Sequence, residues 1–165
     1  MQVKIMTLEF YDWGAKPVTI DGTSSAIAPL TFSDKIKDII KDKLFCDLGC
    51  GEGDFALCCK RFASKVIGVE MDPDRAEIAR MKGLDVIEGN LLSMDLPDAD
   101  VYYIWIGYKT GIVYDRIPSG KTVILGPQVL EVKDWAESIP GVIKNTMEYI
   151  RNGIKMSFDW YVIVK

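Results

Sequence analysis

The stretch Asp47-Leu48-Gly49-Cys50-Gly51-Glu52-Gly53 decides how this chain is read. Before it, Leu44-Phe-Cys-Asp-Leu48 is a short apolar run that reads as a buried strand. After it, Asp54 to Phe62 reads as a helix. A glycine-rich turn between a strand and a helix lets backbone N–H groups approach a nucleotide-bearing ligand. The dinucleotide fingerprint is G-x-G-x-x-G; here the spacing is G-x-G-x-G, so the third glycine comes one position early. Asp47 precedes the turn and Glu52 sits inside it. Two carboxylates are poor company for pyrophosphate and suit a ligand with cationic groups.

Working outward, Lys65-Val-Ile-Gly-Val-Glu70 reads as a second strand that ends in an acid. An acid there is placed to grip both hydroxyls of a ribose. Asp72-Pro73-Asp74 opens a helix: Asp72 caps it, Pro73 suits the first turn, and Asp74 and Glu77 complement the dipole. That helix runs to about Met81 and Gly83 closes it. Leu84 to Ile87, Asp100 to Ile106 and Lys121 to Leu125 read as further strands, with room for one short helix between Gly107 and Gly120. Strands and helices alternating at this spacing imply a parallel sheet. The ending differs: extended stretches at about 142–151 and 154–164 flank Asn152-Gly153, a strong hairpin signal. The expected class is therefore α/β, a Rossmann-like three-layer sandwich. Its seven-stranded sheet is mostly parallel and ends in an antiparallel hairpin. Upstream, Thr31-Phe-Ser-Asp34 can cap a helix running to about Lys41. Residues 1–30, with Phe10, Tyr11 and Trp13, read as an N-terminal arm or lid before a domain at 31–165.

Bulk composition excludes several functions. The 165 residues fit one domain, with 48% hydrophobic and 27% charged residues. A net charge of −4 argues against a general polyanion binder. There is no apolar run of membrane-spanning length and no signal-peptide pattern after Met1, so the expected location is cytoplasmic, without a membrane partner. Cys46, Cys50, Cys58 and Cys59 lack C-x-x-C spacing, which gives no metal site and leaves reduced thiols. The chain has no histidine. That removes the Ser-His-Asp triad, the Cys-His pair and the usual imidazole base together.

Asp47 to Gly53 and Glu70 resemble the motifs of the seven-stranded, class I S-adenosylmethionine-dependent methyltransferases. The first motif of that family reads close to D-L-G-C-G-x-G, and the likeness covers roughly residues 31–165, including the reversed final hairpin. The resemblance implies S-adenosylmethionine as cofactor and a methyltransferase domain at 31–165. It implies that Asp47, Gly49, Cys50 and Gly51 line the methionine end, and that Glu70 binds the ribose. Met71 would pack on one face of the adenine, and Leu91, beside Asn90, would cover the ring. Asn90 stands where the family often has an acid that accepts from the adenine amino group; its carbonyl offers the same contact without charge.

Methyl transfer from a sulfonium needs positioning and desolvation more than a base, which suits a chain without histidine. The acceptor belongs beyond the carboxyl end of the fourth strand, at Trp105-Ile106-Gly107-Tyr108. The N/D-P-P-Y/F motif of many base and glutamine methyltransferases is absent there. Trp105 and Tyr108, joined by Tyr102 or Tyr103 or by neither, can enclose an amine by cation–π contact. The plan also resembles compact protein-lysine methyltransferases of archaea and mitochondria. The likeness lies in Pro29-Leu30-Thr31 before the first motif and in a tryptophan-bearing loop, Trp135, after the fifth strand. A protein lysine is the expected acceptor and a protein the expected partner. RNA or a small molecule as substrate, and a non-catalytic cofactor-binding subunit, stand as alternatives, and the oligomeric state stays open.

Overall fold

A computed structural model describes residues 18–20, 23–25, 29–126, 130–151 and 154–165. Phe10, Tyr11, Trp13 and the Asn152-Gly153 pair, read as a hairpin signal, lie outside the described residues. Strands β1 (Val18–Ile20) and β2 (Thr23–Ser25) form an antiparallel pair separate from the main sheet.

The main sheet grows from the strand before the glycine turn, β3 (Leu44–Leu48). It pairs in parallel with β4 (Lys65–Glu70), which pairs with β5 (Asp85–Glu88). On its other side β3 pairs in parallel with β6 (Val101–Ile104), and β6 with β7 (Thr122–Leu125). The long hairpin of β8 (Ile143–Arg151) and β9 (Ile154–Val164) then closes the sheet, β9 running antiparallel to β7. The order is β5-β4-β3-β6-β7-β9-β8, a mostly parallel seven-stranded sheet with an antiparallel end, as expected.

Helices cover both faces because the central strands alternate apolar residues to both sides. Phe45 faces one core cluster with α1 (Pro29–Ile40), α2 (Asp54–Cys59) and α3 (Pro73–Met81). Cys46 and Leu48 face a second cluster with α4 (Thr110–Arg116) and α5 (Leu130–Ser138). Phe32 fixes α1 to the sheet: its ring lies 5.4 Å from Phe55, 5.9 Å from Tyr103, 5.7 Å from Phe158 and 5.3 Å from Trp160. Helix α3 carries its expected cap, with Asp72 accepting from Asp74 N at 2.9 Å and from Arg75 N at 3.4 Å. Asp72→Ala should cost about 1 kcal/mol of stability. Urea unfolding checks this, and an unchanged midpoint would show that the cap contributes nothing.

Three expectations need correction. Helix α1 starts at Pro29, so Thr31 lies inside the first turn instead of capping it; proline's fixed φ and missing N–H suit that start. Helix α2 stops at Cys59, short of Phe62. The chain tightens there (Phe62 N and Ala63 N both donate to Cys59 O) so that Ser64 N reaches Lys43 O and β4 can begin. Trp135 belongs to helix α5 and not to a loop. It packs edge-on against Tyr114 at 5.4 Å while Val132 and Ala136 are buried beside it.

Candidate active site

The chain runs from β3 outward to β5 and then crosses back to β6, so the order of strands reverses between β3 and β6. In an open α/β sheet a ligand binds beyond the carboxyl ends of the strands at such a switch point. Leu48 pairs with Ile104 across it. Gly49 and Trp105 therefore leave adjacent strands at the same level. The proposed cofactor loop and the proposed acceptor end are neighbours by register.

The loop needs its glycines. Gly49, Gly51 and Gly53 have φ of +89°, +58° and +88°, in the left-handed region. A Cβ on Gly49 would stand 2.7 Å from Ile106 Cγ2, and one on Gly51 2.7 Å from the Arg75 guanidinium. Arg75 gave no signal in the sequence; its place against the loop depends on how α3 returns. Cys50 packs over Gly68, where an added Cβ would lie 2.5 Å from its sulfur. Burial and the carboxylates of Asp47 and Glu70 push the Cys50 thiol up, so it stays protonated.

Asp47 is 3% exposed, on the sheet face that carries Phe45 and Tyr103. Among the described residues no hydrogen bond or ion pair reaches its carboxylate. Burial first, and the Glu70 charge second, push its pKa up to about 8. A buried acid without a partner is costly, and a cationic ligand beside it removes the cost. Directly across the strand pair, the Tyr103 hydroxyl is also buried and without a partner among the described residues, and burial keeps it neutral.

Glu70 ends β4 and braces the loop. Its Oε2 accepts from Gly51 N at 2.8 Å and its Oε1 from Asp72 N at 3.2 Å. Each carboxylate oxygen has two acceptor sites, so the group keeps capacity for a pair of hydroxyls. Met71, next in the chain, is 59% exposed, an apolar surface left open beside that carboxylate. Asn90 uses its side-chain oxygen on its own turn, accepting from Leu92 N at 2.9 Å. Leu91 packs against the second core cluster, half-buried.

At the acceptor end the aromatic residues separate. Tyr102 is core: its hydroxyl donates to Pro97 O at 2.6 Å and accepts from Ala99 N at 3.1 Å. Tyr103 is core on the opposite face. Trp105 is half-buried, packed against the first cluster. Tyr108 sits in a 3-10 turn, Gly107–Lys109, and is 71% exposed. Among the described residues the Trp105 and Tyr108 rings do not touch each other. Among the described residues this end thus presents one half-buried ring and one exposed ring.

A sheet of this order with a reversed last strand, a left-handed glycine loop and an acid ending the neighbouring strand defines the class I methyltransferase type of fold. A methyltransferase-domain family model matches residues 46–110, the segment holding the loop, Glu70, Asn90 and Trp105. Protein 1320 of Thermoplasma acidophilum has the same fold at TM-score 0.67, with 14% identity over 94% of each chain. An RNA methyltransferase from Salinibacter ruber, solved with S-adenosyl-L-homocysteine, gives 0.56 with 17% identity over 81% of this chain and 91% of that one. The precorrin 8w decarboxylase of Methanobacterium thermoautotrophicum gives 0.60 with 17% identity, over 88% and 94%. Among curated proteins none matches the chain by sequence. Residues 46–110 are thus similar to a methyltransferase domain, and the fold is that of the class I S-adenosylmethionine-dependent methyltransferases. Among the described residues the unpartnered Asp47 carboxylate and the Glu70 carboxylate fit a ligand with cationic groups and a ribose, as S-adenosylmethionine has. Among the described residues no helix is long and apolar enough to cross a membrane.

Proposed function

We propose that the chain methylates an amine presented by a protein, the side chain of a lysine. The observation that carries this reading is the acceptor end itself. Beside the glycine loop, at the carboxyl end of β6, stand a half-buried Trp105 and an exposed Tyr108, and the whole chain has no histidine. The exposure of Tyr108 suits an acceptor carried on a large partner, because a small free substrate is usually enclosed on most of its surface.

Bound S-adenosylmethionine supplies a methyl group already activated by a positive sulfur. The residues of this chain have two remaining tasks, to align the acceptor and to keep it unprotonated. A free lysine near pKa 10.4 has about one neutral amine in a thousand at neutral pH. The apolar surface of the half-buried Trp105 disfavours the charged form, and the indole face attracts the cation as it arrives. A neutral nitrogen aligned there would take the methyl group as its bond to sulfur breaks, and would shed its surplus proton to water.

The net charge of −4 weighs against RNA as acceptor, although the Salinibacter neighbour is an RNA methyltransferase. The test is incubation of the chain with methyl-labelled cofactor and a lysate. Label is expected in protein, released on hydrolysis as methyl-lysine. Label in RNA or small molecules alone would sink the lysine reading while leaving the methyltransferase assignment intact.

A further inference from the structure

One side chain ties the loop after β5 to the helix that follows the acceptor end. Residues Asn90 to Met94 form a single tight turn, in which Ser93 N and Met94 N donate to Asn90 O, at 3.0 and 2.9 Å, and Leu92 N donates to Asn90 Oδ1. A turn closed in this way at its start leaves carbonyls unsatisfied at its end. Arg116, the last residue of α4, meets them from across the fold. Its guanidinium donates through Nη1 to Leu91 O and through Nη2 to Met94 O, the latter at 2.5 Å. It is half-buried, and among the described residues it has no carboxylate partner.

The helix that carries Arg116 is itself anchored. Lys165 Nζ donates to Tyr114 O and Ile117 O, both at 2.7 Å, and lies 4.6 Å from the Tyr114 ring centroid. The turn's other ties are Gly89 N donating to Glu70 O at 3.1 Å, Met94 packing on Gly89, and the side chains of Leu91 and Met94 against the second core cluster. A guanidinium presents parallel donors in a rigid fork, whereas a lysine ammonium offers a point charge. Two carbonyls of one turn are a fork's target.

We propose that Arg116 is a positioning residue for the adenine end of the cofactor site. It holds the 90–94 turn so that Asn90 and Leu91 meet the base in a fixed place, and it links that turn to the helix following Trp105 and Tyr108. The proposal rests on the cofactor reading above. Without the fork the turn loosens, and the ligand must order it on binding, which weakens affinity.

The test uses the full chain as wild type, Arg116→Met and Arg116→Lys. Calorimetry measures binding of S-adenosylhomocysteine and of its 6-oxo analogue, S-inosylhomocysteine. The wild type is expected to bind the adenine compound and to prefer it. Arg116→Met, which keeps an apolar stem, should bind it at least tenfold more weakly and lose most of the preference; Arg116→Lys should fall between. A general loss of stability would weaken both ligands alike, so equal weakening with an intact preference overturns the proposal. So does Arg116→Met binding within twofold of wild type. If Arg116→Met does not fold, Arg116→Lys decides, wild-type affinity and preference counting against the proposal. A wild type that binds neither ligand overturns the cofactor reading instead.

Discussion

Glu70→Ala is expected to weaken binding of S-adenosylhomocysteine by about 100-fold or more, roughly 2.7 kcal/mol. Two losses combine. The carboxylate is the group available for the ribose hydroxyls, and charge-assisted hydrogen bonds of that kind are worth about 1.5–3 kcal/mol. It also holds Gly51 N at 2.8 Å and Asp72 N at 3.2 Å, so its removal frees the loop that should meet the ligand. Glu70→Gln keeps the shape and one acceptor oxygen and should lose about tenfold. Calorimetry checks both variants. A Glu70→Ala affinity within threefold of wild type would mean that the ribose lies elsewhere.

Asp47→Asn gives the second large effect, and its sign changes with the ligand. In the free protein burial raises the acid's pKa to about 8, well above its value in the unfolded chain. The folded state then binds more protons than the unfolded state between about pH 4 and 8, so this group lowers stability as pH rises through that window. Asparagine removes the titration, and the free variant should melt above wild type near pH 8 and close to it near pH 4. Cofactor binding runs the other way, because a cationic ligand needs the anion. Between pH 6 and 7 the ionised fraction of a group with pKa about 8 rises about tenfold, and affinity should rise by up to that factor. Asp47→Asn should bind roughly 30-fold more weakly at pH 7.5 and lose this slope, the cost of a charged hydrogen bond. A variant with wild-type affinity and the same pH profile would show that Asp47 does not face the ligand.

The residues that read well in the sequence are those whose local chemistry forces a backbone shape. Gly49, Gly51 and Gly53 announce a loop in the left-handed region, and Asp72-Pro73 announces a capped helix; both stand as read. The alternating stretches on either side of residues 152–153 announce the paired β8 and β9. Helix α5 was legible too: Val132, Trp135, Ala136 and Ile139 recur at helical spacing, and the buried positions follow it. The likeness that put Trp135 on a loop obscured that pattern. Other features depend on topology and leave no trace in local sequence. Val101-Tyr-Tyr-Ile104 is buried on both sides, so the strand period puts Tyr102 and Tyr103 on opposite layers but no polar alternation says which layer each faces. The reach of Arg116 to Leu91, and of Arg75 to Gly51, depends on how separated elements return to the switch point. Asn90 is a further case: its oxygen accepts from Leu92 N in its own turn, a bond no local pattern announces, and keeps a second acceptor site.

The central claim is that the loop at Asp47 to Gly53, with Glu70, holds S-adenosylmethionine and not a dinucleotide. Thermal unfolding of the full chain with S-adenosylmethionine, S-adenosylhomocysteine or NAD tests it most directly. At about 100 times the dissociation constant a bound ligand adds roughly 2.7 kcal/mol. For a domain of this size that raises the melting temperature by about 5–10 °C. Both sulfur ligands should give such a rise and NAD none; a rise with NAD and none with the sulfur ligands would contradict the account.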